Sequence, residues 1–159
     1  MAKSVIKFGV WRKEFSVSEF SLFWLILESV LEESEVARGA ESLDFRLKTL
    51  IEEGCLGDEW YHVTELDEII QGDCSRFEDL LAKAIRHVTN LEAKDFWASL
   101  KRSEQAHEVG CDRFGDPPNR DALIGLIVRF SLPWFSPPES SQLMKAVGWR
   151  PTAKFVIQK

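Results

Sequence analysis

The sequence predicts a mostly helical α+β fold, with a small sheet formed by N-terminal and C-terminal strands. Three observations lead there. Ile6, Phe8 and Val10 alternate with Lys7 and Gly9, the period of a half-buried strand. Phe155, Val156 and Ile157, within residues 154–158, form a second β-rich stretch. Between them, apolar residues recur at spacings of three and four, punctuated by helix caps and stops. Packing the two strands together, with helices on one face, gives a single globular domain over residues 1–159. An all-α bundle with frayed ends is the alternative.

The first strand is expected over residues 4–11, extendable to Phe15. Ser16 and Glu19 then have capping-box spacing, and Phe20, Phe23, Trp24, Leu27, Val30 and Leu31 mark a helix over 17–37. Leu22, Leu25 and Ile26 widen its apolar stripe, so it should be central and covered on two sides. Ser42 caps a second helix with Leu43, Leu47, Leu50 and Ile51 on one face and Gly54 as its stop. Thr64 opens a short helix ending at Gly72. Ser75 and Glu78 repeat the capping-box spacing before the stripe Phe77, Leu80, Leu81, Ala84, Ile85 and Val88. Asn90 caps a further helix to about Ser103.

Residues 110–119 carry two glycines and Pro117-Pro118 and read as a loop and a possible subdomain boundary. Residues 123–132 suit either a buried strand or a helix capped by Asn119. The β-branched content and Pro133 favour the strand. Ser136-Pro137-Pro138-Glu139 opens a last helix before the terminal strand.

Composition excludes whole classes. In 159 residues, 45% hydrophobic and 29% charged content is that of an ordinary globular chain, which excludes disorder and collagen-like structure. A net charge of −6 argues against a general nucleic-acid binder. Cys55, Cys74 and Cys111 are odd in number and widely spaced, so free thiols in a reducing cytoplasm are expected rather than a disulfide framework. Lys3 and Lys7 are not expected to begin a signal peptide, since Lys7, Arg12, Lys13 and Glu14 interrupt the apolar stretch one would need. The richest apolar run, residues 20–27, is far shorter than a membrane span.

Catalytic patterns are missing. There is no nucleophile elbow, phosphate loop or dinucleotide fingerprint. His107 and Cys111 stand four apart, but Gly110 is expected to break a helix between them, and no Cys pair completes a metal set. Cys74, near a helix start, is the more reactive thiol candidate, His87 is expected to be structural, and none of His62, His87 and His107 is expected to be catalytic. No catalytic residue, metal or cofactor is assigned.

Charge is the informative feature. Residues 28–79 hold sixteen acidic and four basic residues, a net of −12, while the rest of the chain nets +6. Such a segment can steer a basic partner into place. The candidate partner-binding residues are Glu32, Glu33, Glu52, Glu53, Asp58, Glu59, Asp67 and Glu68, with Trp60 and Tyr61 as an aromatic anchor amid the acids. The plain alternative is a solvated face.

In size, acidity and lack of catalytic motif the chain resembles the small acidic immunity proteins with which bacteria neutralise nuclease toxins. The resemblance implies a non-enzymatic protein whose acidic surface blocks the basic active site of such a toxin, without contacting nucleic acid or membrane. An adaptor module of a larger assembly, and a small enzyme with a Cys/His site, are the other readings.

Overall fold

A computed structural model describes residues 3–8, 11–53 and 61–131. The fold is α+β, mostly helical, as predicted, and among the described residues its sheet has three strands. The period-two pattern resolves into two strands, β1 (Lys3–Phe8) and β2 (Trp11–Ser16), antiparallel with Phe8 opposite Trp11. A third strand, β3 (Tyr61–Glu65), pairs with β1 in parallel, giving the order β2-β1-β3. Thr64, expected to open a helix, lies in β3 opposite Ile6, and the helix α4 (Leu66–Ile70) begins two residues later. The expected strand at 154–158 and the helix after Ser136 fall outside the described residues.

Parallel pairing needs a crossover. Here it runs through α1 (Val17–Val30), α2 (Glu33–Val36) and α3 (Leu43–Glu53). The capping box forms as its spacing predicts. Ser16 Oγ accepts from the Glu19 N–H at 3.2 Å, and Glu19 Oε1 accepts from the Ser16 N–H at 3.4 Å. Every residue from Glu19 to Glu28 is buried, so α1 is enclosed on all sides. It stops seven residues short of Ala37. The Glu32 N–H, needed to continue the ladder, donates instead to Asp44 Oδ2 at 2.9 Å.

Leu43, Leu47 and Ile51 bury the expected face of α3, with Leu50 at its edge. The stripe from Phe77 to Val88 is buried along α5 (Cys74–Asn90). The start of that helix differs from expectation. Asp73 is the cap residue and Ser75 is the second helical residue, so no capping box with Glu78 can form. Asn90 closes α5 rather than opening a helix; a 3-10 turn at Ala93–Asp95 leads into the short α6 (Phe96–Ser99).

Two further corrections concern the last third. Residues 110–114, read as loop, complete α7 (Ser103–Phe114). Gly110 is not a breaker but a contact point: a Cβ there would stand 2.7 Å from the Trp97 ring and 3.1 Å from Leu22. Residues 123–131, read as strand, belong to α8 (Arg120–Ser131). The alternative start is the right one, since Asn119 Oδ1 accepts from the Ala122 N–H at 3.1 Å. Residues 123–128 of α8 are all buried, so it shows no period.

Phe130 of α8 fastens the architecture. Its ring stacks between Phe15 of β2, centroids 4.0 Å apart, and Phe23 of α1, 3.7 Å apart. Trp24 meets Phe20, Phe23 and Phe130 by its edge. Such pairs add to area burial. Strand β1 lies under this layer: Ile6 joins the main core, while Ser4 and Val5 are also buried, so both faces of the middle strand are covered.

Gly110→Ala is expected to destabilise the protein by about 2 kcal/mol, because Trp97 is wedged between Phe96 and His107 and cannot yield. The urea midpoint checks this, and a midpoint equal to that of the parent would show that the α7 contact is loose.

Candidate functional site

The acidic segment folds into neighbouring elements. Helix α3 packs against α2, the 3-10 turn at Gly39–Glu41, and α4. Arg46 holds that layer together from within. Its guanidinium donates to the carbonyls of Ile69, Ile70 and Ala40 at 2.6, 3.0 and 2.9 Å and to Asp73 Oδ2 at 2.6 Å. The first two are at the C-terminal end of α4, where carbonyls lack helical partners.

A second network closes the layer against α5. Asp44 is fully buried and takes two hydrogen bonds from Arg76, at 2.9 and 2.8 Å. Glu32 lies between Arg76, 3.8 Å away, and Lys83, to which it is bound directly. Burial alone would raise the Asp44 carboxyl; the Arg76 hydrogen bonds, the Glu32 N–H and the nearby cations outweigh it and hold the group below its ordinary value. The Lys83 hydrogen bond and charge, aided by Arg76, do the same for Glu32.

The sequence-predicted residues therefore separate. Glu32 and Glu52 are neutralised within the chain, Glu52 by Lys48 at 3.9 Å and Arg102 at 3.7 Å. Asp67 is also engaged internally. Glu33, Glu53 and Glu68 are exposed and have no ion pair among the described residues. Glu41 and Glu65, which sequence reasoning did not single out, share that state and lie on the same group of elements. Only the count of acids, not their pairing, was available to find them. Asp58, Glu59 and Trp60 lie outside the described residues, and Tyr61 begins β3.

The groups considered for chemistry are separated. His87 Nε2 lies 2.9 Å from Ser99 Oγ, and His107 Nε2 lies 2.8 Å from Asp116. Cys74 and Cys111 are free thiols, while Cys55 is outside the described residues. His107 and Cys111 do share one helix, contrary to the expected break, yet among the described residues no three His, Cys, Asp or Glu assemble as metal ligands.

Arg76→Met strands the buried Asp44 carboxylate and is expected to cost about 3 kcal/mol, read as a lowered denaturation midpoint. Two pH effects follow from linkage. Asp44 and Glu19 have depressed folded pKa values, so their contribution is present above their ordinary values of 3.8 and 4.5 and is lost as pH falls through the folded ones. Burial lowers His87 from 6.5, so its contribution is full above 6.5 and declines as pH falls below it. Stability should therefore drop as pH falls below about 6.5, and His87→Gln should flatten that drop. An unchanged slope in the variant would remove His87 as its source.

Among the described residues no helix is long and apolar enough to cross a membrane. Comparison of the chain with protein families, with curated proteins and with solved structures finds no match, so the geometry alone carries the functional reading.

Proposed function

We propose that this chain is a non-enzymatic acidic binding protein that acts in the cytoplasm by docking into a basic cleft of a partner protein. The partner class that suits it is a nuclease-type toxin, whose active site must be positive to hold nucleic acid, and the role is that of an immunity or inhibitor protein. One observation supports the reading above others. Internal arginines and lysines neutralise much of the acidic segment, yet Glu33, Glu41, Glu53, Glu65 and Glu68 remain exposed and unpaired among the described residues, on α2, α3, β3, α4 and the turn between α2 and α3. Those elements, β3 apart, pack around α3, and α4 meets the sheet at β1. On the sequence reading, Trp60 and Tyr61 add the aromatic anchor.

The test uses the partner isolated from source cells with the tagged chain and then purified. Its association rate should fall about tenfold or more between about 50 mM and about 300 mM salt. The triple variant Glu33→Lys, Glu53→Lys, Glu68→Lys should lose a comparable factor at low salt while keeping its fold, since none of the three holds an ion pair among the described residues. Trp60→Ala should instead raise the dissociation rate. An association rate indifferent to salt and to the triple reversal would leave the acidic layer a solvated face and end the binding reading.

A further inference from the structure

Helix α5 carries a second stripe beside its buried one. Lys83, Arg86, His87 and Asn90 stand at spacings of three, four and seven, and so share one side of the helix. With Val30 of α1 and with Leu91 they line an open groove of about 440 Å³, within the range of small-ligand sites. Val30 and Leu91 are half-buried and pack on the core, giving the groove an apolar side.

The polar groups converge with unspent capacity. Arg86 and Asn90 are exposed, and neither side chain has a partner among the described residues. Lys83 stands beside them, bound to Glu32. Ser99 Oγ donates to the Phe96 carbonyl at 2.6 Å, so in its bond with His87 the imidazole Nε2–H is the donor, and Nδ1 is the ring nitrogen left. Arg120 of α8 donates to the Leu91 carbonyl at 2.6 Å and adds positive charge at the same end. The carboxylates nearby are occupied, Glu32 by Lys83 and Glu92 by Lys94 at 3.3 Å.

The geometry points to a binding groove for a small organic oxyanion, a carboxylate or phosphate carried on an apolar body. The Arg86 fork and the Asn90 amide take the oxygens, and Val30 and Leu91 take the body. His87 couples the site to pH. The groups around it are Lys83 and Arg86 on its own helix, Ser99 from α6 and Val30 from α1, with Arg120 from α8 at Leu91. None of these is an anion. Burial holds His87 below its ordinary value, and a bound oxyanion supplies a negative partner that favours a proton on Nδ1. Binding therefore tightens as pH falls. This site is separate from the acidic face and stands or falls without it.

The experiment titrates phenyl phosphate, phenylacetate and inorganic phosphate into isotopically labelled protein at about 0.15 M salt, read by NMR. Saturable shifts confined to Arg86–Leu91 and Val30 are expected, with a dissociation constant of about 1 mM or tighter for one of the two aromatic probes. Inorganic phosphate, lacking the apolar body, should bind more weakly, and the better aromatic probe names the head group. Arg86→Gln should weaken binding about fivefold or more, whereas Arg113→Gln, in a separate groove with Glu19 and Arg129, should not. The His87 imidazole should titrate at higher pH with saturating probe than without. Lack of saturation by both aromatic probes, equal binding by Arg86→Gln, or a His87 titration unmoved by saturating probe would each overturn the assignment.

Discussion

A helix enclosed on all sides that carries two carboxylates constrains the rest of this protein. Glu19 and Glu28 sit near opposite ends of α1, both buried. An unpaired buried carboxylate is costly, so each needs a cation brought to it. Arg129 of α8 bonds Glu19 Oε2 at 2.5 Å, and Arg113 of α7 stands 3.3 Å from Oε1. Arg102, just before α7, takes Glu28 with its Nε at 2.9 Å. Burial raises the Glu19 carboxyl, yet Arg129, Ser16 and Arg113 together hold it below its ordinary value. The three arginines, with Phe130 stacked on Phe23, tie the α7 and α8 region to α1.

The same economy changes the meaning of the charge map. A net of −12 over residues 28–79 describes a stretch of chain, not a surface. Glu28 and Asp44 are interior groups, and the cations that answer Glu28, Glu32 and Glu52 include Arg102 and Lys83, which lie outside the segment. Part of the acidity is thus spent on joining the helices. The remainder stays on the α2–α4 layer, where it can act on another molecule.

Local chemistry made some elements legible. The Ser16–Glu19 cap, the face of α3 and the α5 stripe each follow from residues within a few positions of one another, and each forms. Elements whose environment is set from afar were not legible. Helix α8 is buried over residues 123–128 without a break, and a segment covered on all sides loses the period that separates helix from strand. Gly110 is a stop signal in isolation; the Trp97 ring against it makes it a requirement of α7 instead. Thr64 lies in a strand because β1 lies beside it, and Asp44, fourteen residues beyond Val30, ends α1. The candidate site shows the same division. The acidic segment was visible in composition, but which carboxylates stay free depends on arginines far along the chain. The α5 groove was not seen at all, because Lys83, Arg86 and His87 read as the ordinary polar side of an amphipathic helix until Val30 and Leu91 supply its apolar side.

Glu32 joins the two halves of this argument. It follows the end of α1, its N–H is bound by Asp44, and its carboxylate lies between Arg76 and Lys83. On one side that network braces the acidic layer through Asp44. On the other it holds Lys83 at the edge of the α5 groove. The charge of Glu32 therefore belongs to neither surface. It sets how much of the Lys83 charge reaches the groove, while its N–H, by turning to Asp44, ends the helix on which both surfaces are built. A carboxylate that looks from the sequence like one more acid in a run is, in the folded chain, the link between an acidic face and a basic groove.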